Sequence, residues 1–65
     1  MSAPIPDAPH LNDPIVVDGT KYRIRSIGPQ SGIAHSRASF GGRECDVHVD
    51  ELRWDRVAGV WRVRP

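Results

Sequence analysis

Beyond residue 14, apolar and polar side chains alternate with a period of two, and nowhere with the 3.6-residue period of a helix. Ile15-Val16-Val17 predicts a short strand, and Asp18-Gly19 supplies the two positive-φ positions of a type I′ turn. The chain returns through Thr20 to Ile27, with Tyr22 and Ile24 facing inward and Lys21, Arg23 and Arg25 outward. After a Gly28–Gly32 loop, Ile33 to Phe40 predicts a third strand and Arg43 to Val49 a fourth, joined by a two-residue Gly41-Gly42 turn. That turn pairs Ala38 with Cys45, Ser36 with Val47 and Ala34 with Val49 on the inner face. On the outer face it sets Arg37 opposite Asp46 and His35 opposite His48. The small inner residues Ala34, Ser36 and Ala38 leave room for large neighbours such as the tryptophans.

Val49-Asp50-Glu51-Leu52 breaks the alternation and predicts a single 3₁₀ turn that redirects the chain. Leu52 to Asp55 and Val60 to Arg64 then form the arms of a terminal hairpin. Its loop is Arg56-Val57-Ala58-Gly59, with Gly59 in the last, positive-φ position. The loop pairs Trp54 with Trp61, Arg53 with Arg62 and Leu52 with Val63. Leu52, Trp54, Trp61 and Val63 then share one face, and Arg53 and Arg62 the other. The two tryptophans meet across the strands, a contact worth about 0.5–1.5 kcal/mol beyond burial.

Five or six short strands with tight turns predict an all-β fold: a small barrel or a strongly bent antiparallel sheet. Residues 1–14 carry Pro4, Pro6, Pro9 and Pro14 without apolar periodicity. They predict a disordered, Pro-rich arm of polyproline II character, leaving residues 15–65 as the β domain. Pro6-Asp7-Ala8-Pro9 matches a PxxP pattern but has no flanking cation.

The short strands, the Asp18-Gly19 hairpin and the turn before the last strands resemble an SH3-like barrel. The ending Leu52-Arg53-Trp54-Asp55, continued by Ala58-Gly59-Val60-Trp61-Arg62-Val63, resembles small uncharacterised proteins of actinobacterial phages. This resemblance spans residues 15–64 at the level of pattern. It implies an SH3-like fold and a phage-encoded protein of the host cytoplasm, and it brings no functional motif. The acidic, tyrosine-rich groove signature of eukaryotic SH3 domains is absent, which argues against proline-peptide recognition.

A chain of 65 residues is one domain at most, and so small a core supplies about 3–5 kcal/mol. The lone Cys45 rules out an internal disulfide framework. Stability therefore has to come from packing the tryptophans, Tyr22, Phe40 and the valines, or from a partner chain. A single small thiol fits a reducing compartment. With neither a long apolar run nor a signal-peptide pattern, the expectation is a cytoplasmic protein with no membrane contact. The formal charge of +1 hides an asymmetry. All nine basic residues lie between Lys21 and Arg64 with five acids among them, so that part carries nine minus five, or +4. Eight of the nine are Arg, a bias that codon usage in a high-GC genome also explains.

Candidate chemistry is sparse. Cys45 falls on the inner face while His35 and His48 point outward, so no Cys–His nucleophile pair assembles. Ser31, Ser36 and Ser39 have no paired base in a recognisable motif, and so small a barrel has little room for a pocket of about 300 Å³. No enzyme activity, cofactor or small-molecule substrate is expected. His35, His48 and Asp46 are weak candidates for a metal site, without a recognised zinc spacing. Two tryptophans in so short a chain point first to a core and second to a contact, since Trp and Arg are enriched in interface hot spots. Trp54 is expected in the core and Trp61 partly exposed at the end of the sheet. The leading expectation is thus a small non-enzymatic binding module acting through a protein partner or self-association, with Trp61, Arg53 and Arg62 at the contact. The alternative is a nucleic-acid-binding barrel using the strip of Lys21, Arg23, Arg25 and Arg37, flanked by His35. Acids on the neighbouring strand and a shortage of exposed aromatics count against it.

Overall fold

Tight turns decide where each strand of this chain begins. The structure, a computed structural model, describes residues 6–63. Residues 1–5 of the predicted arm and Arg64, the predicted end of the last strand, lie outside the described residues. The first hairpin pairs β1 (Pro14–Val17) with β2 (Thr20–Ile27) across Asp18 and Gly19, whose φ values of 50° and 78° are those a type I′ turn requires. β3 (Ile33–Ala38) and β4 (Glu44–His48) follow, then a 3₁₀ turn (Val49–Glu51), β5 (Leu52–Asp55) and β6 (Val60–Val63). The His48 side chain accepts a hydrogen bond from the Asp50 N–H and so starts the 3₁₀ turn. The fold is all-β: one six-stranded sheet, ordered β4-β3-β2-β1-β6-β5 and curled into a half-barrel.

The terminal hairpin has the predicted register, from Leu52 opposite Val63 to Asp55 opposite Val60. Asp55 shapes its loop. Its carbonyl accepts from Gly59 N at 2.8 Å, and its Oδ1 accepts from Val57 N and Ala58 N, each at 3.0 Å. The Trp54 and Trp61 rings meet edge to face, with centroids 5.2 Å apart and planes at 67°.

The β3–β4 hairpin differs from the predicted register by two residues. Ala34 lies opposite Val47, His35 opposite Asp46, Ser36 opposite Cys45 and Arg37 opposite Glu44. The Ala38 N–H bonds to the Arg43 carbonyl at 2.7 Å, so the connection is Ser39-Phe40-Gly41-Gly42 rather than Gly41-Gly42 alone. A shift of two keeps every side chain on its face. It changes who meets whom, and it takes Phe40 out of the strand. Phe40 is 91% exposed and contributes nothing to the core that was expected to include it.

β2 carries a β-bulge. Ile24 opposes Ser36, yet Ser26 opposes His35, so Arg25 is the extra residue. Without it, strict alternation would turn Ile27 outward. With it, Arg25 and Ser26 are both exposed and Ile27 packs against the core.

β6 pairs with β5 on one side and, in parallel, with β1 on the other, Ile15 opposite Trp61 and Val16 opposite Arg62. This pairing joins the two ends of the chain. Segment 10–14, expected in the disordered arm, is fastened to it. Asn12 N donates to the Ile24 carbonyl at 2.8 Å, and Ile24 N to the Asp13 carbonyl at 3.0 Å. Asp13 Oδ2 accepts from His10 N at 2.8 Å and from the Trp61 indole N–H at 3.1 Å.

The core gathers Ile15, Tyr22, Ile24, Ala34, Ala38, Val47, Leu52 and Trp61, with residues from both ends of the sheet in one cluster. Trp61 is 5% exposed, whereas Trp54 is only half-buried. This reverses the expected assignment. β6 is an interior strand with neighbours on both sides, and β5 is the edge.

Trp61→Ala should therefore cost about 3–5 kcal/mol, as much as a core of this size supplies, and unfold the protein. Trp54→Ala should stay folded with a smaller loss. Far-UV circular dichroism with urea titration of both variants checks this, and an unfolded Trp54→Ala beside a folded Trp61→Ala would contradict it. Ser36 Oγ is buried without a hydrogen-bond partner among the described residues. Ser36→Ala should accordingly be neutral or stabilising by up to about 1 kcal/mol, read as an unchanged or raised melting temperature.

Candidate anion-binding face

Arg23 on β2 and Arg37 on β3 are direct cross-strand partners on the outer face of the sheet. Alternation along β2 puts Arg25 on the same side, two residues beyond Arg23. Together with Ala38 at the end of β3 and with Ser39 and Gly42 of the β3–β4 connection, these three arginines line an open groove of about 390 Å³. Two guanidiniums directly opposite each other repel, and here the fold supplies little to offset that. Among the described residues the arginine paired with a carboxylate is Arg62, with Asp55, while His35 and His48 lie beside Asp46 and Asp50; none of these contacts involves Arg23, Arg25 or Arg37. Glu44, opposite Arg37, does not reach ion-pair distance of it. Asp46, the expected partner of Arg37, is instead bonded to His35 Nδ1 at 2.8 Å, a consequence of the shifted register. Arg23 Nη1 donates to the Asn12 carbonyl at 2.9 Å, which steadies one guanidinium with a neutral acceptor and leaves its charge uncancelled. Arg37 lies close over Gly42, where an added Cβ would come 3.3 Å from its Nη2. Lys21 is exposed on the same face but does not line the groove.

The metal candidates are not brought together. His35 faces Asp46, while His48 lies opposite Ile33, its Nδ1 held by Asp50 N at 3.1 Å. Among the described residues no three potential ligands cluster. The predicted partner contact is divided as well. Trp61 is in the core, with its indole N–H committed to Asp13. Arg62 Nε bonds to Asp55 Oδ2 at 2.6 Å, and Arg53 is exposed on the other face of the hairpin. Cys45 is half-buried on the inner face. Burial, then the Asp46 and Asp18 carboxylates, push its thiol pKa up, which makes the thiolate scarcer than in a free cysteine. Among the described residues no helix is long and apolar enough to cross a membrane.

Two features of the groove escape a strict reading of alternation. The bulge at Arg25 had one faint signal, the spacing of Ile24 and Ile27, which fits one face only if an extra residue intervenes. The exposure of Phe40 had none, because Gly41-Gly42 reads as a sufficient turn by itself. Compared with protein-family models, curated proteins and solved structures, this chain matches none.

Asp55 joins the hairpin loop to Arg62. The hydrogen bond from Arg62, followed by that from Ala58 N, holds its carboxyl below the usual carboxylate range. A depressed folded-state pKa adds stability that is fully present above the ordinary value near 3.8 and is lost as pH falls through the lower folded value. Asp55→Asn should flatten that part of the acid-unfolding curve and lower stability above it by an amount that does not vary with pH. Thermal melts of both proteins across the acid range measure this, and parallel curves would contradict it.

Proposed function

We propose that this chain is a small non-enzymatic binding module whose ligand is a nucleic-acid phosphate backbone, taken on the outer face of β2 and β3. One observation carries the reading: Arg23, Arg25 and Arg37 line a single groove, and none has a carboxylate within ion-pair distance among the described residues. Guanidiniums match phosphate oxygens in pairs of hydrogen bonds, and an anion in the groove relieves their mutual repulsion. The charge of the segment from Lys21 to Arg64 favours encounter with a polyanion. The groove is open and shallow enough to follow a chain across the sheet, rather than to enclose a small molecule.

A second reading keeps a protein partner or a second copy of the chain. It rests on β5, an edge strand with the half-buried Trp54 on one face and Arg53 on the other. The pattern of the Leu52–Val63 ending supports a phage-encoded origin within either reading.

Affinity for nucleic acid should fall steeply with salt. About three phosphate contacts give a slope of log affinity against log salt near −2 to −3. Arg25→Gln and Arg37→Gln should each weaken binding and reduce that slope by about 0.7–0.9. Both positions are exposed strand sites, so folding should change by no more than about 0.5 kcal/mol. Fluorescence anisotropy over a salt series reads the slope. A slope unchanged in both variants would exclude the groove as the site.

A further inference from the structure

The β3–β4 connection carries an exposed aromatic residue between two residues that line a cationic groove. Ser39 and Gly42, on either side of Phe40 and Gly41, both line the groove, and Arg37 lies close over Gly42. Phe40 is 91% exposed. Burying a phenylalanine stabilises a protein, and a two-residue Gly41-Gly42 turn would have kept Phe40 on the inner face beside Ala38. The longer loop forgoes that burial. Among the described residues two other large apolar side chains are well exposed, Leu11 at 58% and Val57 at 99%, but neither lies in the connection that lines the groove and neither offers a π face.

An aromatic face beside a row of phosphate-binding cations is the arrangement that receives an unpaired nucleotide. The cations hold the backbone while the base stacks on the ring. In a duplex the bases are already stacked on one another, and an exposed ring outside the grooves gains nothing from them. Resting on the nucleic-acid reading above, we infer that the ligand is single-stranded, with one base stacked on Phe40 and the neighbouring phosphates on Arg37, Arg25 and Arg23. Stacking uses the π face common to all bases, so the site discriminates strandedness rather than sequence. An acidic peptide would meet the same arginines without drawing on Phe40.

The test titrates the full chain and its Phe40→Ala and Phe40→Trp variants with a short mixed-sequence single strand, the matching duplex, inorganic polyphosphate and a polyglutamate peptide. The single strand should bind tightest. Phe40→Ala should lose about five- to 150-fold in affinity for it, with duplex and polyphosphate affinities unchanged. Phe40→Trp should restore single-strand affinity, and the emission of that third tryptophan should be quenched on binding. Phe40 is exposed, so neither variant should disturb folding, and circular dichroism verifies that. Equal single-strand affinity in wild type and Phe40→Ala would overturn the stacking role. A duplex bound as tightly as the single strand would overturn the single-strand preference, and in both cases the phosphate-binding reading would stand. Binding of polyglutamate with no binding of either nucleic acid would overturn both.

Discussion

Trp61 has a strand on each side, and most of this domain depends on that circumstance. Its neighbours are Trp54 across β5 and Ile15 across β1. β5 and β6 come from the end of the chain and β1 from near its beginning, so the parallel β1–β6 pairing is the long-range contact that curls the sheet. Asp13 reinforces it by accepting the Trp61 indole N–H while its backbone carbonyl bonds to Ile24 N. A buried indole N–H without an acceptor is costly. The acceptor lies just before β1, so the segment preceding that strand becomes part of the fold.

The curl also separates the two faces by chemistry. Inside, Ala34, Ser36 and Ala38 on β3 keep the middle of the sheet thin, and the large side chains of β1, β2 and β6 share one cluster with them. Outside, β2 and β3 carry arginines in adjacent positions. Elsewhere on the outer surface Arg62 bonds to Asp55, and His35 Nδ1 to Asp46. The β2–β3 groove is distinctive because three arginines line it together. Arginines are common in this chain, and among the described residues Arg62 alone is paired with a carboxylate.

The bulge and the four-residue connection act together on that groove. One leaves Arg25 on the face that holds Arg23 and Arg37, turns Ser26 out beside it and returns Ile27 to the core. The other carries Phe40 out of the core, between two residues that line the groove, and moves Asp46 from Arg37 to His35. Each is a local departure from regular pairing, and each adds to or spares the cationic surface. Irregularities of this kind re-aim side chains without altering the fold around them.

Local pattern and turn chemistry determined much of this protein directly. Alternation assigned inner and outer faces to Tyr22, Ile24, Ala34 and Ser36, because a strand has a fixed period of two. Asp18-Gly19 and the Arg56–Gly59 loop set their hairpin registers, because few residues accept the left-handed backbone those turns need. The break at Val49 marked the 3₁₀ turn. Tertiary structure decided the rest. The β3–β4 register slid by two residues, since a slide of two preserves every face and leaves no trace in the hydrophobic pattern. The burial of Trp61 rather than Trp54 followed from which arm of the hairpin met β1, a pairing between distant segments that no local signal encodes. Alternation had already put Arg23, Arg25 and Arg37 on the outer face, but the exposure of Phe40 in the connection beside them followed from that slide and became visible only once the strands were side by side.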